Sequence, residues 1–294
     1  MTRAPVIEVI GPGPLTTVQD LGRPGFASLG VGHSGAADRG ALRLANRLVG
    51  NPESAACLEV TLGGLSLRFG TAATVALTGA VCPVTVGGRA GFCHGPLSVR
   101  AGDRLVLGTP ERGLRTYLAV RGGIDVPPVL GSRSTDVLAG LGPDPVAAGD
   151  RLPVGGEVAG VPTVDQAPVP ALPDALVLRT LPGPRDDWFT AAARERFGAE
   201  GYTVSPQSNR IGLRFDGPAL QRAGAAELPS EGMVRGAVQV PPDGRPVLFL
   251  ADHPVTGGYP VIGVVEPADM DLAAQARPGQ PVSFRWVPGR TLVP

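Results

Sequence analysis

The chain has 294 residues, 43 of them glycine and 32 proline, and its 26 basic and 26 acidic side chains cancel to a formal net charge of zero. That balance leaves no charge footprint for a phosphate backbone or an anionic bilayer, so neither nucleic acid nor membrane is expected as a partner. Every basic side chain is arginine, which excludes the Schiff-base lysine of pyridoxal chemistry and the lysine amide through which a chain carries its own biotin.

Apolar residues make up 43% of the chain, and the glycines and prolines fall between short apolar runs, the pattern of a turn-rich, mainly β protein with a few helices. The first residues, MTRAPVIEVIGPGP, show no basic stretch leading into an apolar core. No run approaches the roughly 18 apolar residues of a spanning helix, so a cytoplasmic protein is expected. Cys57, Cys82 and Cys93 form no CxxC pair and leave an odd thiol, and they read as small core residues. GPGP at 11–14 lacks the third glycine of a dinucleotide site, and GxxxxGK[ST] is absent, so a partner is expected to handle any ATP.

In chain order, the first feature is a glycine-rich loop with isolated polar side chains, TTVQDLGRPGFASLGVGHSGAAD at 16–38. The spacing of Ala41, Leu42, Ala45, Leu48 and Val49 then predicts a helix capped by Asp38 and stopped by Gly50 and Pro52. In CLEVTLGG, Glu59 reads as an ordinary outward-facing strand residue. LSLRF alternates, with Leu65, Leu67 and Phe69 on one face and Ser66 and Arg68 on the other. RTYLAVRGG at 115–123 reads as a strand ending in a glycine turn. Apolar strands follow similar turns in RAGDRLVL, AAGDRLPV and RPGQPVSF. A proline-rich stretch then suits a connector, giving β-rich lobes over 1–160 and 176–294 joined by a linker at 161–175. In the second lobe, DDWFTAAARERFG predicts a helix from Asp186 or Asp187 that buries Trp188, Phe189, Ala192 and Phe197. VLFLA at 247–251 reads as a strand covered on both sides, a third helix begins near Pro267, and VSFRW closes the pattern.

Candidate chemistry sits at glycine turns. GHSGA at 32–36 imitates a G-x-S-x-G elbow but ends in Ala36, so Ser34 reads first as a turn residue. His33, His94 and His253 are scattered and Cys93–His94 supplies too few ligands, so no metal site is expected. Gln19, Asp20 and Arg23 on one side of the first loop, with Ser34 and Asp38 on the other, could hydrogen-bond a small polar ligand. Pairing of Asp20 with Arg23 to close the loop is the alternative. SNRIG, SEGMVRGAVQV and ADHPVTGGYP repeat this grammar, with Asp252 following a buried strand either as a site carboxylate or as a turn cap.

Taken in order, TTVQDLGRPGF, SGAAD, ALRLANRLVGNPESAACLEVTLGG, YLAVRGGIDVPPVLGSRST, SEGMVRGAVQVPPDGRP and ADHPVTGGYPVIGVV resemble the carboxyltransferase-like family. That family contains allophanate hydrolase subunit 2 and the C-type subunit of prokaryotic 5-oxoprolinase, and is related to the carboxyltransferase domain of urea carboxylase. The resemblance implies two cyclophilin-like β-barrel lobes. It implies a B-type partner similar to allophanate hydrolase subunit 1, an A-type 5-oxoprolinase subunit, and ATP-dependent opening of 5-oxoproline to glutamate. Carboxyl transfer from biotin to a urea-like acceptor, or a regulatory role beside a kinase-inhibitor-like subunit, are its alternatives. Gln19, Asp20, Ser34, Asp38, Asn46, Arg133, Ser134, Gln239 and Tyr259 stand in the family's motifs as candidate substrate-binding residues, and Asp252, Glu231 and Arg23 as candidate catalytic ones. The chain departs from the family's GVPxSGAMD at Gly32 and Ala37, while Ser34 and Asp38 are kept.

Overall fold

The computed structural model describes residues 6–224 and 227–288. Two compact units form: residues 1–23, 34–136 and 140–172 make the first, and 24–33, 137–139 and 173–294 the second. Regular strand is absent between Glu157 and Leu176, where prolines remove backbone donors.

The first unit is built on two antiparallel sheets. One has seven strands in the order Gly122–Ile124, Arg151–Glu157, Val6–Pro12, Leu65–Phe69, Arg104–Leu107, Val84–Val86 and Arg89–Ala90. The other has five, in the order Leu15–Gln19, Cys57–Thr61, Arg115–Val120, Ala73–Gly79 and Pro96–Val99. Strand Arg115–Val120 is buried along its whole length, because the period of two sends alternate side chains to opposite covered faces. Leu118 and Val120 join the core with Ile7, Val9, Leu67 and Phe69, while Tyr117 and Ala119 pack under helix α1, Arg39–Val49. That helix matches its sequence signals. Asp38 caps it by accepting from the Ala41 N–H at 2.8 Å, and Gly50 ends it in the left-handed region, which only glycine adopts without strain. Two details differ from the sequence reading. Ser66 is buried and accepts from Arg104 Nε at 2.6 Å. Glu59, expected to face outward, is 1% exposed, because α1 covers that face of its sheet.

Barrel closure is seen in the second unit. Strands Leu176–Pro182, Val261–Val265, Ala237–Gln239, Val247–Phe249, Gly212–Asp216, Gly201–Val204 and Pro281–Trp286 close into a ring. All of its pairings are antiparallel except Leu176–Pro182 with Pro281–Trp286. Inward residues such as Leu178, Leu213, Phe215, Val238, Leu248, Ile262 and Phe284 fill it. Phe197 stacks on Phe284 with centroids 4.4 Å apart, and Tyr202, Phe215 and Trp286 complete an aromatic cluster.

The helix expected from Asp186 is in fact two pieces, a 3-10 turn at Asp186–Trp188 and helix α2 at Ala191–Ala199. Phe189 is extended and the Thr190 hydroxyl accepts from the Ala193 N–H, so the interruption is a new N-cap. It shifts the buried stripe from Ala192, which is exposed, to Ala193 and Phe197. The third helix likewise opens as a 3-10 turn, Pro267–Asp269, before α3, Met270–Ala274.

Candidate functional site

Each unit carries its own polar cluster. In the first, the loop after strand Leu15–Gln19 is stitched to the turn at 132–136. The Asp20 carboxylate accepts four hydrogen bonds: on Oδ1 from the Gly22 N–H at 2.8 Å, Ser132 Oγ at 2.6 Å and Ser134 Oγ at 2.5 Å, and on Oδ2 from the Arg133 N–H at 2.6 Å. A buried carboxylate so surrounded is a fixed anchor, since each donor loses its partner if the charge goes. Gly35 explains the glycine in this loop: it has φ +89°, and a Cβ there would lie 2.7 Å from the Gly22 nitrogen. Only glycine allows the two loop limbs to approach so closely.

Arg23 is almost wholly buried. Its Nη2 donates to the Ser134 carbonyl, its Nε to the Val129 carbonyl at 3.4 Å, and its Nη1 lies 3.8 Å from Asp136 Oδ2. The Gln19 amide donates to the Thr135 carbonyl at 2.9 Å and to Thr17 Oγ1 at 3.0 Å. Ser34, at φ +53°, donates to the same Thr135 carbonyl at 3.3 Å and is fully buried. Three buried polar atoms here, Gln19 Oε1, Arg23 Nη1 and Thr135 Oγ1, lack a hydrogen-bond partner. Buried groups left this way commonly mark a bound water, an ion or a ligand.

Asp38 is linked to a neighbouring network. Its N–H donates to the Tyr117 hydroxyl at 2.8 Å, the Tyr117 hydroxyl donates to Glu59 Oε2 at 2.6 Å, and the Ala37 N–H donates to the same oxygen at 3.0 Å. Arg115 Nε lies 3.4 Å from Glu59 Oε1. Burial pushes the Tyr117 hydroxyl well above its ordinary pKa and the Glu59 charge adds to the shift, so the proton stays where Glu59 needs it. Tyr117→Phe is therefore expected to cost about 1–3 kcal/mol by leaving a buried carboxylate oxygen short of a donor, readable as a lower denaturation midpoint at unchanged m-value. A wild-type midpoint would show that the hydroxyl contributes nothing. Asn46 stands apart, donating to the Ala55 carbonyl at 2.8 Å and accepting from the Asn51 amide at 3.0 Å. The side chain of Arg133 turns away to the Val126 carbonyl and Asp125 Oδ1.

In the second unit Asp252 meets Arg210 in a two-pronged pair, Nε to Oδ2 at 2.9 Å and Nη2 to Oδ1 at 3.0 Å. Both side chains are at most 1% exposed, and Oδ2 also accepts from the Val137 N–H at 3.2 Å. Glu231, on the short ribbon with Thr256–Gly257, takes Nε of Arg185 at 2.9 Å and Nη2 of the same residue. Its side chain keeps 24% of its surface open. Gln239 donates to the Tyr259 carbonyl at 3.0 Å, and the exposed Tyr259 ring lies under Arg222 with the guanidinium carbon 5.8 Å from its centroid.

The structure thus gathers Gln19, Asp20, Arg23, Ser34 and Ser134 at one turn, and joins Asp38 to Glu59. It holds Asn46 elsewhere. Sequence reading missed Ser132, Thr135, Asp136, Tyr117, Arg115, Arg185 and Arg210, although Ser132, Thr135 and Asp136 lie in the polar run GSRSTD and Arg210 in SNRIG.

Residues 29–286 match the family model described as carboxyltransferase domain, subdomain A and B. The chain is 43% identical to the C-type subunit of 5-oxoprolinase from Escherichia coli over 95% of its own length and 90% of that protein. It is 35% identical to the corresponding 5-oxoprolinase subunit of Haemophilus influenzae over 96% of its length and 91% of the relative. Among solved structures it superposes on the K. lactis urea amidolyase with a TM-score of 0.91 and 32% identity, over 97% of this chain but only 19% of that enzyme.

Proposed function

The chain belongs to the carboxyltransferase domain family, subdomains A and B, and from that premise we propose that it is the C-type subunit of an ATP-dependent 5-oxoprolinase. In this reading it takes part in opening the 5-oxoproline lactam to L-glutamate beside a B-type and an A-type subunit, with ATP handled in the complex. The observation that carries the reading is the likeness to the E. coli C-type subunit, 43% identical and matching in length. Urea amidolyase, with a TM-score of 0.91, favours carboxyl transfer from a biotin borne by another chain as the second reading.

A lactam amide is too stable for direct hydrolysis. ATP bound in the complex would supply a phosphoryl group to the carbonyl oxygen; water would add to that carbon, the ring C–N bond would break as its nitrogen takes up a proton, and a second water would release phosphate from the acyl phosphate left. The amide edge of the ring presents an acceptor oxygen beside a donor N–H. Arg23 Nη1 and Gln19 Oε1, the buried donor and acceptor without a hydrogen-bond partner at the 134–135 turn, are its chemical complement, and Arg23 would also stabilise charge developing on the oxygen. Asp20, Ser34, Ser134 and Arg133 hold that turn in place, and Asp38 caps the helix that follows the loop. Within the second unit, Glu231 keeps an open face and is the candidate general base, while Asp252 holds Arg210 and the Val137 amide. Gln239 and Tyr259 order the adjoining strand end.

Glu231→Gln is expected to lower the turnover number for glutamate release by about 100- to 10,000-fold, the usual range for losing a general base. The Arg185 pair is open to solvent, which screens it, so the melting temperature should barely move. Turnover within a factor of two of wild type would remove Glu231 from the proton path. The reading as a whole is tested by adding this chain to the A-type and B-type subunits with ATP and 5-oxoproline. Glutamate is expected only in the complete mixture, and release without this chain would end the assignment.

A further inference from the structure

Cys82 and Cys93 are eleven positions apart, yet the fold sets them face to face. Strands Val84–Val86 and Arg89–Ala90 form a hairpin with Thr85 opposite Ala90 and Val86 opposite Arg89. The Gly91 N–H donates to the Val84 carbonyl at 2.9 Å, which carries the same pairing one step beyond the strands. Cys82 and Cys93 lie two residues beyond that last bond on the two limbs, and residues facing each other across such limbs stand about 4.5–5.5 Å apart between Cα atoms, inside the range of about 4.4–6.8 Å that a disulfide spans. The side chains are close as well: Cys93 Sγ lies 3.8 Å from the Cys82 carbonyl oxygen.

The surroundings separate this pair from an ordinary core contact. Cys82 lines a cleft of about 530 Å³ together with Val81, Pro83, Arg112, Val169 and Leu172, so the cleft runs beside the pair. The Thr116 hydroxyl lies 3.9 Å from Cys82 Sγ. The Gln166 amide donates to the Cys93 carbonyl at 3.0 Å and the Ala167 N–H to the His94 carbonyl at 2.7 Å, fixing the backbone that presents Cys93. The neighbouring Cys82 pulls the Cys93 thiol down to about 7 against the effect of its burial, and Cys82 is pushed up in return. Cys57 is fully enclosed and burial pushes its thiol up, which leaves it inert.

We propose that Cys82 and Cys93 form an oxidisable dithiol, which a small hydroperoxide entering the cleft converts into an intrachain disulfide. The Cys93 thiolate takes one oxygen from the hydroperoxide and becomes a sulfenic acid, while the alcohol or water leaves with a proton from solvent. The Cys82 sulfur then attacks the sulfenic sulfur. The S–S bond forms, the S–O bond breaks, and water departs with the Cys82 proton, so the hydroperoxide is reduced by the two electrons the thiols lose. The product ties the hairpin base to the wall of the cleft and is reversed by a dithiol reductant.

The test uses the intact chain, folded, with hydrogen peroxide. The expected result is a fall in alkylatable thiols from three to one and an intact mass lower by two hydrogens. A non-reduced peptide map should join the Cys82 and Cys93 peptides and leave Cys57 free, and dithiothreitol should restore all three thiols. Cys93→Ala and Cys82→Ala should each abolish the cross-link, and circular dichroism of each variant shows that its fold is kept. Three free thiols after peroxide, or Cys93 sulfinic acid without a cross-link in the wild-type protein, would overturn the proposal.

Discussion

Asp252→Asn is expected to destabilise the second unit by about 3–5 kcal/mol, the usual consequence of removing one member of a buried ion pair. Arg210 is 1% exposed and both of its bonds to Asp252 are short. Neutralising the carboxylate takes the charge of its two-pronged partner from an enclosed guanidinium, and arginine does not shed its proton to relieve this. The loss belongs mainly to the stranded partner, so Asp252→Asn combined with Arg210→Met should recover much of the stability that the single variant lacks. Chemical denaturation of the three variants measures the contrast. An Asp252→Asn protein that unfolds like wild type but turns over no substrate would make Asp252 a reacting group and move the proton path from Glu231 to it.

Asp20→Ala should be nearly as damaging, by about 3–5 kcal/mol, for a different reason. Four donors converge on that carboxylate, from Gly22, Ser132, Ser134 and Arg133. Hydrogen bonds to a charged group contribute about 1.5–3 kcal/mol each and add less than linearly when they share an acceptor. The damage should be local: Arg23 relies on the Ser134 and Val129 carbonyls of the same turn, so the turn and the guanidinium loosen together. Amide hydrogen exchange should therefore rise at 20–23 and 129–136 while the barrel amides of the second unit keep their protection. Unchanged exchange at 129–136 would mean that the turn is held by something other than Asp20.

How far the sequence carried these conclusions depended on the range of the interaction. Helix α1 was legible from its cap, its period and its stopping glycine because all three signals lie within fifteen residues. The turn-then-strand pattern before Arg104, Arg151 and Pro281 was legible for the same reason. The second helix was misjudged because an apolar stripe runs through Trp188 and Phe189 into Phe197, and periodicity does not register that Phe189 is extended and Thr190 restarts the helix. Glu59 was misjudged because alternation assigns two faces to a strand without telling whether the second face is covered, and here α1 and Tyr117 cover it.

The candidate site was legible as a set of glycine-loop polar residues, and the family motifs singled them out. Their partners were not. Asp20 bonds residues 112–114 positions away, and Asp252 bonds Arg210 across 42. Such pairings are made by strand order and have no local pattern. That is also why the sequence did not show how many bonds within the protein Asp20 and Asp252 make, or that Glu231 keeps an open face.

The central claim is that the assembled complex opens a lactam. The most direct measurement gives the complete mixture of this chain with the A-type and B-type subunits 5-oxoproline and ATP in one reaction, and carboxybiotin with urea in another. The account predicts one glutamate formed per ATP consumed in the first and no carboxyl transfer in the second. Carboxyl transfer to urea, with no glutamate from 5-oxoproline in a complex that assembles, would contradict it.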